Sequence, residues 1–285
     1  MLDQRSSVEA KLAEDPRDDD FVWSLVRPIG AYLGGPNIVM QLSRLGVGRG
    51  VAESTVDSGR LDKHPVKRAR TTFGYVVAAL LGTPAERTWL RGEVDRAHRA
   101  VRSAPGAAVQ YTAFDPDLQL WVAACICKGL LDQATVLRPD LDDATRDRIV
   151  RVARRIATTL QVDAAAWPAD AKAFDDYWSD NLQRLEVDEV TSSYLHEFLR
   201  LRWLGPIPSA LLGRFHTFVS TGLLSDEFRS PLGLAWSDGH QQWFDRLVWV
   251  SVRVDRLVPA QLAQLVPRLY LRDLRRRHRH GKPFI

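Results

Sequence analysis

Two cysteines are all that 285 residues contain, Cys125 and Cys127. They stand two apart on an apolar segment and point in different directions on a helix, so they are not placed to bond to each other. No C-x-x-C pair and no C-x-x-C-H stretch occurs, which removes a zinc knuckle and covalently attached c-type haem. The two thiols read as small buried hydrophobes. Long apolar runs are also missing. The longest, "YVVAALL" (75–81) and "LWVAACI" (120–126), fall short of the about 20 residues that cross a bilayer. The first residues, "MLDQRSSVEAKLAEDPRDDD", are charged and have no apolar stretch of the secretory kind. The sequence therefore predicts a soluble, cytoplasmic protein with no integral membrane segment. No Asn-Gly or Asp-Gly turn sits between alternating runs, no strand–helix alternation appears and no repeat period is visible.

What is present is ordinary core-forming material, 45% hydrophobic and 26% charged. The net charge of +4 gathers in the tail "RDLRRRHRHGKP" (272–283). Those cations read as the solvated end of a helix, beside its C-terminal dipole. They are not interleaved with stacking aromatics and no recognition motif precedes them, so no nucleic-acid partner is expected. Nine tryptophans supply core mass, with a few available to line a pocket for a flat apolar ligand.

The fold class is all-α. Residues 1–20 read as loosely ordered, and 21–285 as a single all-helical domain. Helical periodicity runs through 65–82, 82–103, 115–134, 142–162, 170–185, 209–224, 240–257 and 259–279. In 82–103, Thr83 is a good N-cap, Pro84 fits the first helical position, and Glu86 completes a capping box. Leu90, Val94, Ala97 and Val101 form its apolar stripe, and Ser103-Ala104-Pro105-Gly106 ends it. The single imidazole, His98, falls on the border of that stripe. Two readings stay open on the helix alone: a half-buried boundary histidine, or a metal ligand or acid/base group.

Known metal and nucleotide patterns fail in turn. "HEFLR" (196–200) lacks the second histidine of a zincin helix, and "DRAH" (95–98) is half of a di-iron carboxylate motif without a second copy. "GVGRG" (46–50) follows no strand, so a dinucleotide site is not expected. No P-loop and no G-x-S-x-G is found. In 65–82, Arg68 and Thr72 share one face beside an apolar stripe of Ala69, Phe73, Val76 and Leu80, with Lys67 and Arg70 on the outer side. The short "GTP" link makes this helix a neighbour of the one carrying His98. An arginine, a hydroxyl and an imidazole approaching one cavity would suit a haem, with the imidazole axial on one side and the donor pair over the other.

Three stretches, in order, carry a resemblance to a known family. They are "NIVMQLSRLGVGRGVAES" (37–54), "RARTTFGYVVAALLGTPAE" (68–86), and "VDRAHRAVRS" (94–103) followed by "YTAFDPDLQLWVAACICKG" (111–129). Together they resemble the rubber-oxygenase catalytic domain family, which includes latex clearing protein and the MpaB-type oxygenases. The resemblance implies a globin-like helical core with flanking helices, holding haem b, with iron-dependent oxygen chemistry on a hydrophobic small molecule. It implies His98 as the proximal iron ligand, with O2 taken on the opposite side. It implies Arg68 and Thr72 as the polar pair there, and Glu53 as the counterpart of a catalytic base. This sequence departs from the rubber-cleaving pattern at Thr71, where those members carry lysine, at Ala123, where many carry histidine, and at "SRL" (43–45), which replaces A-H-P. The leading expectation is a haem-dependent oxygenase or oxidase. The alternatives are a haem or small-molecule binding protein without turnover, acting as sensor or carrier, and a non-haem iron enzyme using "DRAH".

Overall fold

The computed structural model describes residues 18–54 and 63–284, and among them every element is helical. In chain order these are α1 (Asp18–Leu25), α2 (Gly34–Leu42), α3 (Leu45–Ala52), α4 (Pro65–Leu81) and α5 (Pro84–His98). Then come α6 (Pro116–Leu137), α7 (Asp143–Thr159), α8 (Ala171–Leu182), α9 (Glu189–Leu199) and α10 (Pro206–Leu223). The chain ends with α11 (Asp226–Arg229), α12 (Asp238–Leu257), α13 (Ala260–Ala263) and α14 (Leu265–Arg279). The expected loosely ordered segment lies outside the described residues as far as 17. Residues 18–20 instead open α1, where buried Asp18 meets Arg148 and Arg151 of α7 at 2.9 and 3.1 Å.

The core is built on α6 against α7. Small residues of α6 (Ala123, Ala124, Cys125, Cys127) are completely buried and let Ile149, Val150, Val152 and Ile156 of α7 come close. Dense packing of this kind stabilises through many small dispersion contacts. Buried Trp121 stacks on Trp178 of α8 at 5.0 Å, and its indole N–H donates to the Met40 and Gln41 carbonyls of α2. The burial satisfies the one polar atom of the ring. Although the apolar runs read as too short to cross a membrane, α6 as a whole is 22 residues long and apolar enough to do so. Half of that stretch is buried inside the protein, as befits a central core helix.

The wheel of α4 is turned from the sequence expectation. Its buried residues include Thr71, Gly74, Tyr75 and Ala78, and the Tyr75 hydroxyl donates to the Ile156 carbonyl at 2.7 Å. Phe73, expected in the core, is 48% exposed, and Ala69 and Val76 are half-buried. The reason is α14, which folds back over the side expected to face solvent. Arg70 pairs with Asp273 at 3.0 Å and donates to the Phe284 carbonyl, while the Phe284 ring packs beside Gly74. The basic tail is therefore partly neutralised rather than freely solvated. Arg275 pairs with Glu86 at 2.7 Å, and His278 stacks on Trp89.

Candidate functional site

The capping box of α5 forms as read: the Glu86 amide donates to Thr83 Oγ1 and the Thr83 amide donates to Glu86 Oε2. The helix ends earlier than expected, with His98 as its last residue and Arg99 as C-cap. Beyond it the backbone is captured by a local antiparallel turn. Ser103 N–H donates to the Tyr111 carbonyl and Ala113 N–H to the Val101 carbonyl, both at 2.9 Å, around Gly106 at positive φ. These bonds compete with continued helix and place Val101 off the helical stripe. They also bring Phe114 back edge-on to the His98 ring, with centroids 6.3 Å apart.

His98 is half-buried, and its Nδ1 is enclosed without a hydrogen-bond partner. Its pKa is pushed down to about 4, first by burial and then by the positive charge of Arg68, with Asp95 opposing. At neutral pH the ring is therefore uncharged, the form that binds a metal. Arg68 lies on the half-open side of α4. Burial lowers its pKa, and the nearby Tyr194 of α9 acts against that. Arg68 is half-buried, and its guanidinium has no hydrogen bond or ion pair among the described residues. Thr72 is half-buried one turn further along the same face. The neighbouring Thr71 is buried and its hydroxyl donates to the Arg68 carbonyl at 3.1 Å, so it is occupied within its own helix.

Glu53 sits elsewhere. It is the C-cap of α3, exposed, and paired with Arg49, which also binds Asp188. Its charge bears on Tyr111, whose pKa is raised by burial first and by Glu53 second. The structure thus brings His98, Arg68 and Tyr194 into one electrostatic neighbourhood, with Thr72 beside Arg68, and holds Glu53 at the edge on an arginine. Tyr194 escaped the sequence reading because it is distant in the chain and belongs to no motif. "GVGRG" lies inside helix α3. A Cβ on Gly48 would come within 2.7 Å of the Leu42 carbonyl oxygen and of Thr191, so glycine is needed for close approach rather than for phosphate.

The donor set bears on what His98 can hold. Among the described residues no group of three or more His, Cys, Asp or Glu side chains is arranged for a metal ion. An iron held by His98 would need donors beyond these described side chains, which a porphyrin would supply. The half-open side of α4 presents Ala69, Phe73 and Val76 next to Arg68, whose guanidinium is without a partner among the described residues. The positions that depart from the rubber-cleaving pattern add no acid or base here. Ala123 is fully packed in the core, and Arg44 is buried against Asp117 and the Asn181 side chain.

The family described as ER-bound oxygenase mpaB/B'/Rubber oxygenase, catalytic domain, matches residues 23–253. Uncharacterized proteins of Mycobacterium bovis and Mycobacterium tuberculosis are each 45% identical over 253 residues, covering 89% of this chain and 99% of theirs. No solved structure matches the chain.

Proposed function

The chain belongs to the MpaB/rubber oxygenase catalytic-domain family, and from that premise we propose that it is a haem b-dependent oxygenase or oxidase acting on a hydrophobic small molecule. One observation carries the haem reading: an uncharged, half-buried imidazole, its Nδ1 without a partner, within the field of a half-buried guanidinium that is unpaired among the described residues. Haem, when bound, supplies the activation of O2, which no protein side chain provides. His98 is the iron ligand in this reading. Arg68 offers charge-assisted donors to an anion, either a haem propionate or negative charge developing on the oxygen side. Thr72 presents a hydroxyl that can hold or pass on a proton at Oγ1. Ala69, Phe73 and Val76 provide an apolar surface for the substrate. Glu53 acts as a base only after release from Arg49, so the main chemistry falls to Arg68 and Thr72. The hydroxyl-bound Thr71 and packed Ala123 argue against rubber cleavage itself, and they also favour a second reading, haem binding without turnover.

The experiment is an absorption spectrum of the freshly purified protein beside His98→Ala. A Soret band in the native protein that is lost in the variant is expected; full haem retention in His98→Ala removes the assignment. Oxygen uptake with terpenoid, polyketide and aromatic compounds then separates the oxygenase from a carrier.

A further inference from the structure

A second site stands on the far side of α9. Tyr194, whose charge bears on Arg68, lies on one face of this helix. His196, Leu199 and Arg200 lie on the opposite face and line a cleft of about 570 Å³ closed by α10 and the 233–240 turn. Three arginines enter this cleft, Arg200, Arg202 and Arg214, and no aspartate or glutamate lines it. Arg202 has Glu197 at 3.6 Å, whereas Arg200 and Arg214 have no side-chain hydrogen bond or ion pair among the described residues.

The end of a helix is ordinarily a poor place for an anion, because its last carbonyls are the negative pole. Here carbonyls at this end are already taken. The Leu199 carbonyl accepts from His216 Nδ1 at 2.8 Å and Thr217 Oγ1 at 3.0 Å, and the Arg200 carbonyl accepts from Ser209 Oγ at 2.8 Å. Gly213 of α10 permits the approach, since a Cβ there would collide with the Arg200 carbonyl. The guanidinium charge is thus left to dominate the cleft. One wall is aromatic: Phe218, Trp236 and His240 lie within 5.3–6.3 Å of one another, and Arg229 stacks behind Trp236 at 4.9 Å.

We propose that this cleft binds an organic oxyanion, a carboxylate or phosphate monoester carried on a flat apolar body. The arginine forks recognise the oxyanion and the aromatic wall takes the ring or hydrocarbon. Both headgroups present the same chemistry to the arginines, so the measurement decides which source is preferred.

Calorimetric titration of the full chain with 1-naphthyl phosphate, 2-naphthoate and neutral 2-naphthol in low salt tests the site. At least one anion is expected to bind one to one, with 2-naphthol weaker by about tenfold or more. Tighter binding of the phosphate identifies the monoester class, and tighter binding of the naphthoate identifies the acid. Arg200→Ala combined with Arg214→Ala is expected to weaken the anion by about tenfold or more. Arg214→Glu alone acts in the same direction and provides a folded alternative, since the residue is exposed. His98→Ala binds as the native protein does, so loss of the haem assignment leaves this result untouched. Absence of anion binding, equal affinity for 2-naphthol, or unchanged affinity in the arginine variants overturns the proposal.

Discussion

Two regions of the helical domain, its central helix and its later helices, solve the placing of apolar side chains in opposite ways. In α6, Trp121, the small residues around Cys125 and Leu131 all disappear into the interior. In α12 only Phe244 and Asp255 are buried, while Trp243 is 66% and Leu257 is 82% exposed. α10 and α14 resemble α12, with Ile207, Leu211, Leu265 and Leu269 facing outward. Part of what fastens α12 to the body is polar. The Asp255 carboxylate accepts from the Ile29 amide at 3.0 Å and from Arg27 Nε at 2.8 Å. An apolar stripe in a sequence therefore states that a face wants a partner and does not state that it has found one within the chain.

The sharpest way to break this comparison is at its inner end. Trp121→Ala removes a fully buried ring, its stack on Trp178 and its hydrogen bonds to α2, so it is expected to cost about 3–5 kcal/mol. Urea denaturation followed by circular dichroism measures it. A loss below about 1 kcal/mol would mean that α6 is not the packing centre.

A smaller effect appears where the inner region meets a titratable group. The folded pKa of His98, about 4, lies below the ordinary 6.5. The unfolded chain thus binds the proton first as pH falls. Stability is independent of this group above about pH 6.5, declines as pH drops from there to about 4, and levels off below. With the partial exposure of the ring allowed for, the loss amounts to about 2 kcal/mol. Urea midpoints of the cofactor-free protein across that window should slope downward with acid, and His98→Gln should flatten the slope. An equally steep slope in the variant would assign the effect to other groups.

Local signals made much of the fold legible. Thr83, Pro84 and Glu86 fixed the start of α5, and the periodicity of 142–162 placed Ile149, Val152 and Ile156 in the core, where they are. The family likeness singled out His98, Arg68 and Thr72. Nothing local could reveal that α14 folds over Arg70 and turns α4, because the contact joins residues about two hundred positions apart. The end of α5 at His98 depended on backbone bonds from 101–113, and the surroundings of Arg68 include Tyr194 from a distant part of the chain. The arginine cleft was equally hidden, since its cations come from α9, α10 and the turn between them and share no motif.

The smallest effect tests the outer end. Leu257 closes α12 and has little contact to lose, so Leu257→Ser is expected to change stability by less than about 0.5 kcal/mol. The same urea titration used for Trp121→Ala reads it, at low protein concentration. If the change exceeded about 1.5 kcal/mol, the stripe would have to be covered in solution, because a side chain facing water cannot supply that much by burial. Repeating the measurement at tenfold higher protein concentration then distinguishes coverage by a second copy, whose contribution rises with concentration, from coverage within the chain, whose contribution does not. A near-zero value at both concentrations keeps the contrast intact: α6 is held by what its side chains bury, and α12 by few fully buried groups, Phe244 and the Asp255 carboxylate.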